Sequence, residues 1–262
     1  MVASRASARA IYLRDSLYYG RTVRRRIRIV TEEELSGLPA PVRRYLMYAG
    51  VVGKEKAQTA RISFEGEFRM RTGGKWMHVE TEQTSFLDDA VRVFYIKGRY
   101  LGVVPVSGRD LYARGEGNML IKLLSFLTIE NASGPEMNQS GLVTFLNDMV
   151  MIPTAFLDER VAWSAIDDRS ARATLSDRGM SVSAVIHFNE SGEIVNFVTE
   201  DRYHSEGGGR SRNVKWSTPF GNYREITGVR VPTEGEALWH FDEGDFCYAR
   251  FRLKDLRYDA FE

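Results

Sequence analysis

Residues 118–157 read NMLIKLLSFLTIENASGPEMNQSGLVTFLNDMVMIPTAFL, and strand-like sequence lies on both sides of this stretch. The run from Met119 to Leu127 leaves almost no polar face, so the sequence predicts a helix that is apolar all round. The pattern breaks at 131–134, resumes after Ser140 and ends at Pro153, because proline interrupts a helix. A helix of this kind must be covered on most sides. The flanking strands therefore have to supply the cover.

The flanking sequence has the two-residue period of strands with one solvated face. Ile62, Phe64 and Phe68 alternate with Ser63 and Glu65, and repeated hairpins follow from Val161 onward. Parallel strands would need helices between them, so we expect antiparallel pairing. The sequence predicts a mainly β (α+β) fold. Its core is a large curved antiparallel half-barrel of about 10–11 strands around a central helical segment, preceded by short N-terminal helices.

The N-terminal 30 residues form a separate basic segment. They contain eight arginines and one acidic residue, Asp15, and residues 5–19 have the spacing of a short basic amphipathic helix. Thr31 and Glu34 have the capping-box spacing, and a further helix begins near Pro41 and ends at Gly50. We predict a basic tail at 1–30 and a single curved-sheet domain at 31–262, with a helical insert at about 118–157.

Arginine clusters near the end of this tail, at Arg24, Arg25, Arg26 and Arg28. Such a run suits an anionic membrane surface, where each basic residue contributes roughly 1 kcal/mol. A solvated tail is the alternative that we favour, because terminal charge runs are usually solvated. A nucleic-acid partner ranks last, since no reading module or aromatic stacking platform follows the arginines.

The sequence also gives an expectation about the cellular compartment of the protein. No apolar run approaches the roughly 18 residues of a membrane span, and no signal-peptide block follows the basic start. The single cysteine, Cys247, cannot form an internal disulfide. We therefore expect a cytoplasmic protein that can lie at the periphery of the membrane.

Two resemblances can be recognised in particular stretches. LPAPVRRYL (38–46), GRDLYARGEGNMLIKLL (108–124), MIPTAFL (151–157) and WSAIDDRSARATL (163–175) resemble a bacterial family known only as a domain of unknown function. HFNESGEIVNF (187–197) and NYREITGVRVPTEGEALWHF (222–241) are similar, more distantly, to hairpins of the LolA-like lipoprotein-carrier half-barrel. The second resemblance implies a cavity able to take an acyl chain or a similar apolar ligand.

No motif predicts catalysis. His78, Glu80 and Glu82 share one face of a strand and could surround a divalent metal, but a polar outer face with paired carboxylates is the favoured interpretation. No G-x-S-x-G elbow or HExxH sequence occurs. We expect no catalytic residues, no metal and no cofactor.

The leading hypothesis is hydrophobic capture of an apolar or lipid-like small molecule in the concave face, at about 25 cal/mol per Å² of apolar surface removed from water. Lys122 either reaches solvent, which we favour, or neutralises a ligand headgroup at the mouth of the cavity. The alternatives are a structural or protein-interaction module with a fully packed core, and an enzyme without a recognisable motif. The predicted ligand-binding residues are Met119, Lys122, Leu123, Leu127, Leu142, Leu146, Met149, Trp163 and Trp239.

Overall fold

The computed structural model describes residues 6–207 and 210–259, so residues 1–5 of the predicted tail lie outside the described part. The α-helices are α1 (Ala8–Gly20), α2 (Glu32–Ser36), α3 (Ala40–Ala49) and α4 (Pro135–Asp148). Two short 3-10 helices, Met149–Met151 and Pro153–Leu157, follow α4. The predicted helix signals are confirmed: Thr31 and Glu34 form the capping box of α2, and Gly50, at φ 75°, ends α3.

The strands form two walls and one separate hairpin. The first wall contains β1 (Thr59–Phe68), β2 (Met77–Phe86), β3 (Val91–Tyr100), β4 (Val104–Ala113), β5 (Glu116–Leu123) and β6 (Leu127–Ser133). The second wall contains β7 (Val161–Asp167), β8 (Ser170–Asp177), β9 (Met180–Phe188) and β10 (Ile194–Thr199), and then β13 (Trp216–Ile226), β14 (Val229–Phe241) and β15 (Gly244–Tyr258). The separate hairpin pairs β11 (Tyr203–Gly207) with β12 (Arg210–Asn213).

Both walls belong to one antiparallel sheet of 13 strands, in the order β6-β5-β4-β3-β2-β1-β15-β14-β13-β10-β9-β8-β7. The sheet is curved and unclosed. β1 and β15 join the walls along their length, from Ala60 opposite Tyr258 to Phe68 opposite Ala249. The predicted mainly β architecture, with a large curved antiparallel sheet and a helix in its middle, is confirmed. The strand number is larger than the expected 10 or 11.

The first half of the predicted helical insert is wrong. Residues 116–133 form the β5–β6 hairpin, and the helix begins only at Pro135. The reason is that β5 contacts α1 on one face of the sheet and α4 on the other. Neighbouring residues of β4 show the two faces: Arg109 pairs with Asp15 of α1, while Asp110 pairs with Arg92, which bonds Asp148 of α4. The sequence of a strand that is covered on both faces does not alternate between apolar and polar residues.

α4 lies in the concave face and packs against both walls, including β4, β5, β8 and β9. Every side chain from Ser140 to Asn147 is buried. Two polar contacts orient the helix end: Arg92 Nε donates to Asp148 Oδ2 at 2.5 Å, and Thr218 Oγ1 donates to Asn147 Oδ1 at 2.5 Å. The walls also meet directly, where the Tyr112 hydroxyl donates to Asp177 Oδ2 at 2.8 Å.

Part of the predicted basic tail is packed on the convex face of the first wall. α1 buries Tyr12 against Phe86, Val91 and Val93 of the sheet, and the Tyr12 hydroxyl bonds Thr84 Oγ1 at 3.0 Å. The free, solvated tail that we favoured is therefore incorrect for residues 8–20. Within the described ranges, no helix combines the length and the hydropathy that crossing a bilayer requires.

Leu146 tests the packing of the concave face. Its side chain is 0% exposed, so Leu146→Ala leaves a cavity and should lower the free energy of unfolding by about 2–5 kcal/mol in urea titrations. The matched control is Leu17→Ala, since Leu17 of α1 is 59% exposed and its loss should cost no more than about 0.5 kcal/mol. Equal effects from both changes would contradict the placement of α4.

Candidate functional site

The predicted cavity residues of α4 and its 3-10 extension fill the concave face. Leu142, Leu146 and Met149 belong to the main hydrophobic core and are at most 1% exposed. They contact the buried side chains of both walls, so at this level the trough is packed.

The other predicted residues of the insert lie on the β5–β6 hairpin. Met119 and Leu123 are half-buried, and Leu127 is exposed at the start of β6. Lys122 is 1% exposed and lies opposite Ser107 of β4. Lys122 therefore does not reach solvent, and the interpretation that we favoured is wrong.

The two predicted tryptophan walls lie apart. Trp163 of β7 packs edge-on against Phe156 and donates its indole N–H to the Phe156 carbonyl at 3.2 Å. Trp239 of β14 lies instead among other aromatic side chains of the central strands, several strands away in the sheet. The nine predicted residues thus lie in different places: those of α4 and its 3-10 extension and Trp239 belong to the core, Trp163 packs at its edge, and the others lie on the β5–β6 hairpin. They do not line one site.

An aromatic cluster surrounds Trp239 at the end of the central strands. The Trp239 ring stacks on the Tyr248 ring with 6.1 Å between centroids, and the Trp216 ring lies 6.5 Å from the Trp239 ring. The Trp216 indole N–H donates to the Tyr248 hydroxyl at 3.1 Å. The aromatic cluster consists of Phe68, Trp216, Trp239, Phe241, Phe246 and Tyr248.

Strand register brings these rings together. Trp216 pairs with Trp239, and Trp239 pairs with Phe246 across the β14–β15 ladder. Trp239 and Phe241 are two residues apart, so their side chains project from the same face of β14. The sequence analysis found Trp239 alone. The available signal was the spacing of aromatic residues on either side of the turn at Gly244.

The β11–β12 hairpin covers the aromatic cluster. The His204 ring meets Trp239 and Phe241 edge-on, at 5.1 and 5.0 Å between centroids. Arg202, just before β11, lies 4.4 Å above the Trp216 ring and donates to the Ser140 carbonyl and to Thr144 Oγ1 of α4. The hairpin is therefore held by ring contacts, by Arg202 and by Arg212 above the Phe241 ring. The Tyr203 amide of β11 also donates to Ser140 Oγ of α4 at 3.1 Å.

Two polar atoms under this cover lack a hydrogen-bond partner in the described part of the chain: His204 Nδ1 and Arg202 Nε. Burial lowers the pKa of His204 below its ordinary value, Arg212 lowers it further, and Glu206 opposes the shift. The neutral imidazole is thus the form that fits against the rings.

Two recorded cavities lie elsewhere. One, of about 180 Å³, is on the convex face and includes Glu80, Glu82, Lys97 and Lys254 in its lining. The other, also about 180 Å³, is lined in part by Pro153, Thr227 and Tyr258. Pockets for drug-sized ligands usually measure about 300–1,000 Å³, so neither cavity is large enough for such a ligand.

The face of β2 with His78, Glu80 and Glu82 carries ion pairs, which is the interpretation that the sequence analysis favoured. Glu80 pairs with Lys97 at 3.2 Å, and Glu82 pairs with Arg9 at 3.1 Å. Lys97 lowers the pKa of the Glu80 carboxyl through a hydrogen bond and its charge. No group of three His, Cys, Asp or Glu side chains in residues 6–207 and 210–259 could hold a metal ion.

A Ser-His-Asp relay that the sequence did not reveal lies on the convex face. Ser217 Oγ is 2.7 Å from His240 Nε2, and His240 Nδ1 is 2.7 Å from Asp245 Oδ1. The relay crosses three adjacent strands, β13, β14 and β15. Because Ser217 follows Trp216 along β13, the relay and the aromatic cluster lie on opposite faces of the sheet.

The chain belongs to a family of unknown function, DUF6544, whose model matches residues 28–251. The expected kinship with a domain of unknown function is therefore confirmed. No curated protein matches the sequence.

Several solved structures resemble the fold at low identity. A DUF1329 family protein from Desulfovibrio piger is 13% identical, with TM-score 0.48, over 86% of this chain and 95% of the other. A LolA superfamily protein from Nitrosomonas europaea is 10% identical, with TM-score 0.44, over 87% and 94%. A putative outer membrane lipoprotein-sorting protein domain from Vibrio parahaemolyticus is 9% identical, with TM-score 0.43, over 77% and 86%.

The half-buried position of His204 predicts a pH dependence. Its pKa is lower folded than unfolded, so the unfolded chain binds the proton more readily, and the stability from the neutral ring is lost as pH falls below about 6.5. Unfolding free energies measured between pH 7 and pH 5 should therefore fall more steeply for the wild type than for His204→Gln. His78→Gln, at an exposed histidine of β2, should keep the wild-type slope. Identical slopes for the wild type and His204→Gln would contradict this account.

Proposed function

We propose that the protein binds an apolar, lipid-like molecule at the aromatic cluster, and that the ligand enters when the β11–β12 hairpin moves aside. The observation that carries this proposal is the set of six rings at the end of the concave face, covered by a hairpin that belongs to no larger sheet. Large aromatic surfaces of this kind are typical of sites for apolar ligands.

The hairpin is the weakest cover in this region. An isolated two-stranded hairpin is at best marginally stable in water, so β11 and β12 depend for their position on a few contacts with the aromatic cluster and α4. His204, Arg202, Arg212 and the Tyr203 amide make these contacts. Moving the hairpin leaves the 13-stranded sheet intact. A bound apolar chain would replace the ring contacts that His204 makes, and burial of its surface would stabilise the complex by about 25 cal/mol per Å².

The polar groups beside the rings indicate the headgroup. Arg202 keeps a guanidinium above Trp216, and its Nε has no partner within the described residues. A carboxylate or phosphate oxygen could accept from this Nε with the charge-assisted geometry that arginine favours. The ligand class that fits is an apolar chain with an acidic end.

A fluorescent fatty acid tests this proposal. Wild-type protein should bind anthroyloxy-labelled palmitate, and Trp239→Ala should weaken binding about tenfold or more, because one of the two indole rings of the site is lost. Trp163→Ala is the matched control, since it removes a tryptophan that packs against Phe156 outside the aromatic cluster. Its affinity should equal that of the wild type.

Native mass spectrometry of protein purified from cells provides a second readout, through co-purified lipid. No uptake of the probe and no co-purified lipid would overturn the ligand proposal. That result would favour the packed-core module, which the burial of Leu142, Leu146 and Met149 already supports.

The Ser217–His240–Asp245 relay favours a second candidate function, ester or acyl hydrolysis. In that reaction Ser217 Oγ would attack the acyl carbon while its proton passes to His240 Nε2, and Asp245 would hold the Nδ1 proton. The bond from the acyl carbon to the leaving oxygen would then break as that oxygen takes the proton from His240. A water molecule that gives its proton to His240 would release the acyl group from Ser217 in the same way. The opposing observation is that Ser217 is 3% exposed on a strand, so a substrate carbonyl cannot reach its Oγ without movement of the His240 ring.

Labelling with a fluorophosphonate probe decides whether the relay is only a set of structural hydrogen bonds or contains a reactive serine. Because Ser217 is buried, we expect no labelling of the wild type and no change in Ser217→Ala. Labelling that is lost in both Ser217→Ala and His240→Ala, with folding confirmed by circular dichroism, would instead assign a hydrolase site.

A further inference from the structure

Exposed apolar side chains collect at one end of the first wall. The β1–β2, β3–β4 and β5–β6 turns lie side by side there, and the Leu124 amide of the third bonds the Pro105 carbonyl of the second at 2.9 Å. Phe126 is 65% exposed and Leu101 is 62% exposed. The hairpin tips consist of Met70, Tyr100, Leu101, Val103, Leu124, Phe126 and Leu127.

Leu101 occupies a backbone position that does not favour it. Leu101 has φ 53° and precedes Gly102, which also has positive φ, in a three-residue turn between the paired residues Tyr100 and Val104. Three other turns have the same pair of conformations: Arg114-Gly115, Arg178-Gly179 and Thr227-Gly228. Each of them places a polar residue where the β3–β4 turn has Leu101. A bulky apolar residue with positive φ is unfavourable, so a polar residue would serve the fold better at this position.

The charge around the hairpin tips has one sign. Exposed Arg71, Lys75 and Arg99 flank the apolar side chains, and residues 69–76, 97–105 and 122–129 contain no aspartate or glutamate. Apolar side chains with a rim of cations match a lipid surface, in which anionic headgroups lie above the acyl region.

We propose that the hairpin tips dock the protein on a lipid surface with anionic headgroups. Phe126, Leu101 and Val103 enter the acyl boundary, while Arg71, Lys75 and Arg99 contact the headgroups. The proposal does not depend on a ligand at the aromatic cluster.

This surface differs from the one that the N-terminal arginines predict. The Gln58 amide nitrogen donates to the Arg24 carbonyl, and Arg25 pairs with Glu55, so the arginine run lies where β1 begins. The hairpin tips lie where β1 ends. A ten-residue strand is about 33 Å long, so the two surfaces face opposite directions.

The acidic β14–β15 turn marks where the proposed lipid-binding surface ends, on the side of the second wall. Asp242, Glu243 and Asp245 lie at the same end of the sheet but on the second wall. Anionic headgroups repel this turn. The protein therefore meets the lipid with the first wall, and the β14–β15 turn points away.

Vesicle flotation of the full chain tests the proposal. Wild-type protein should float with vesicles of phosphatidylcholine plus phosphatidylserine, and less with phosphatidylcholine alone. Leu101→Ser/Phe126→Ser should lower the partition coefficient about tenfold or more, because two inserted side chains are lost. Met47→Ser/Ile166→Ser is the matched control at the α3 end, where Met47 is 63% exposed, and it should float like the wild type.

Two further variants separate the basic surfaces. Arg71→Gln/Lys75→Gln/Arg99→Gln should abolish the preference for phosphatidylserine, whereas replacing Arg24, Arg25, Arg26 and Arg28 by glutamine should not. The proposal is overturned if the wild type floats with neither vesicle, which would point to a protein partner. It is also overturned if Leu101→Ser/Phe126→Ser floats like its control, or if the N-terminal variant alone loses binding.

Discussion

The connection between the two edges of the sheet governs the rest of the structure. β6 and β7 are the two edge strands of the 13-stranded sheet but are consecutive along the chain, so the segment between them must cross the concave face. α4 and the 3-10 helices make that crossing, and their apolar side chains become the core between the walls. Any ligand site has to lie beyond the helix. The aromatic cluster, at the far end of β13–β15, is such a place.

The same constraint explains which parts of the fold the sequence could reveal. Strands with one solvent-exposed face, such as β1, can be recognised in the sequence because apolar and polar residues alternate along them. The antiparallel architecture was predicted from these strands. β5 was misread because α1 covers one of its faces and α4 the other, which turns a strand into an unbroken apolar run. Periodicity alone cannot separate such a strand from a buried helix. The missing evidence was the tight turn at Arg114-Gly115, whose backbone begins a hairpin.

The site was less predictable than the fold, because its residues meet only through strand register. Trp216, Trp239 and Phe246 come from three strands, and their contact depends on which residues pair across the ladders. The Ser217–His240–Asp245 relay has the same origin. Hydropathy correctly identified Leu142 and Leu146 as inward-facing, but inward-facing side chains fill a core as readily as they line a cavity. Only the positions of the two walls around α4 show which of these outcomes applies.

Pairing of β1 with β15 places nearly the whole chain between two strands that are neighbours in the sheet. A ribosome delivers β1 early and β15 last among the strands, so until then each wall presents an unpaired edge that other chains could join. The sheet becomes continuous only when β15 arrives, and closing so long a loop is slow. Assembly in the cell thus ends at the centre of the sheet, and the waiting edge of β1 is where aggregation would begin.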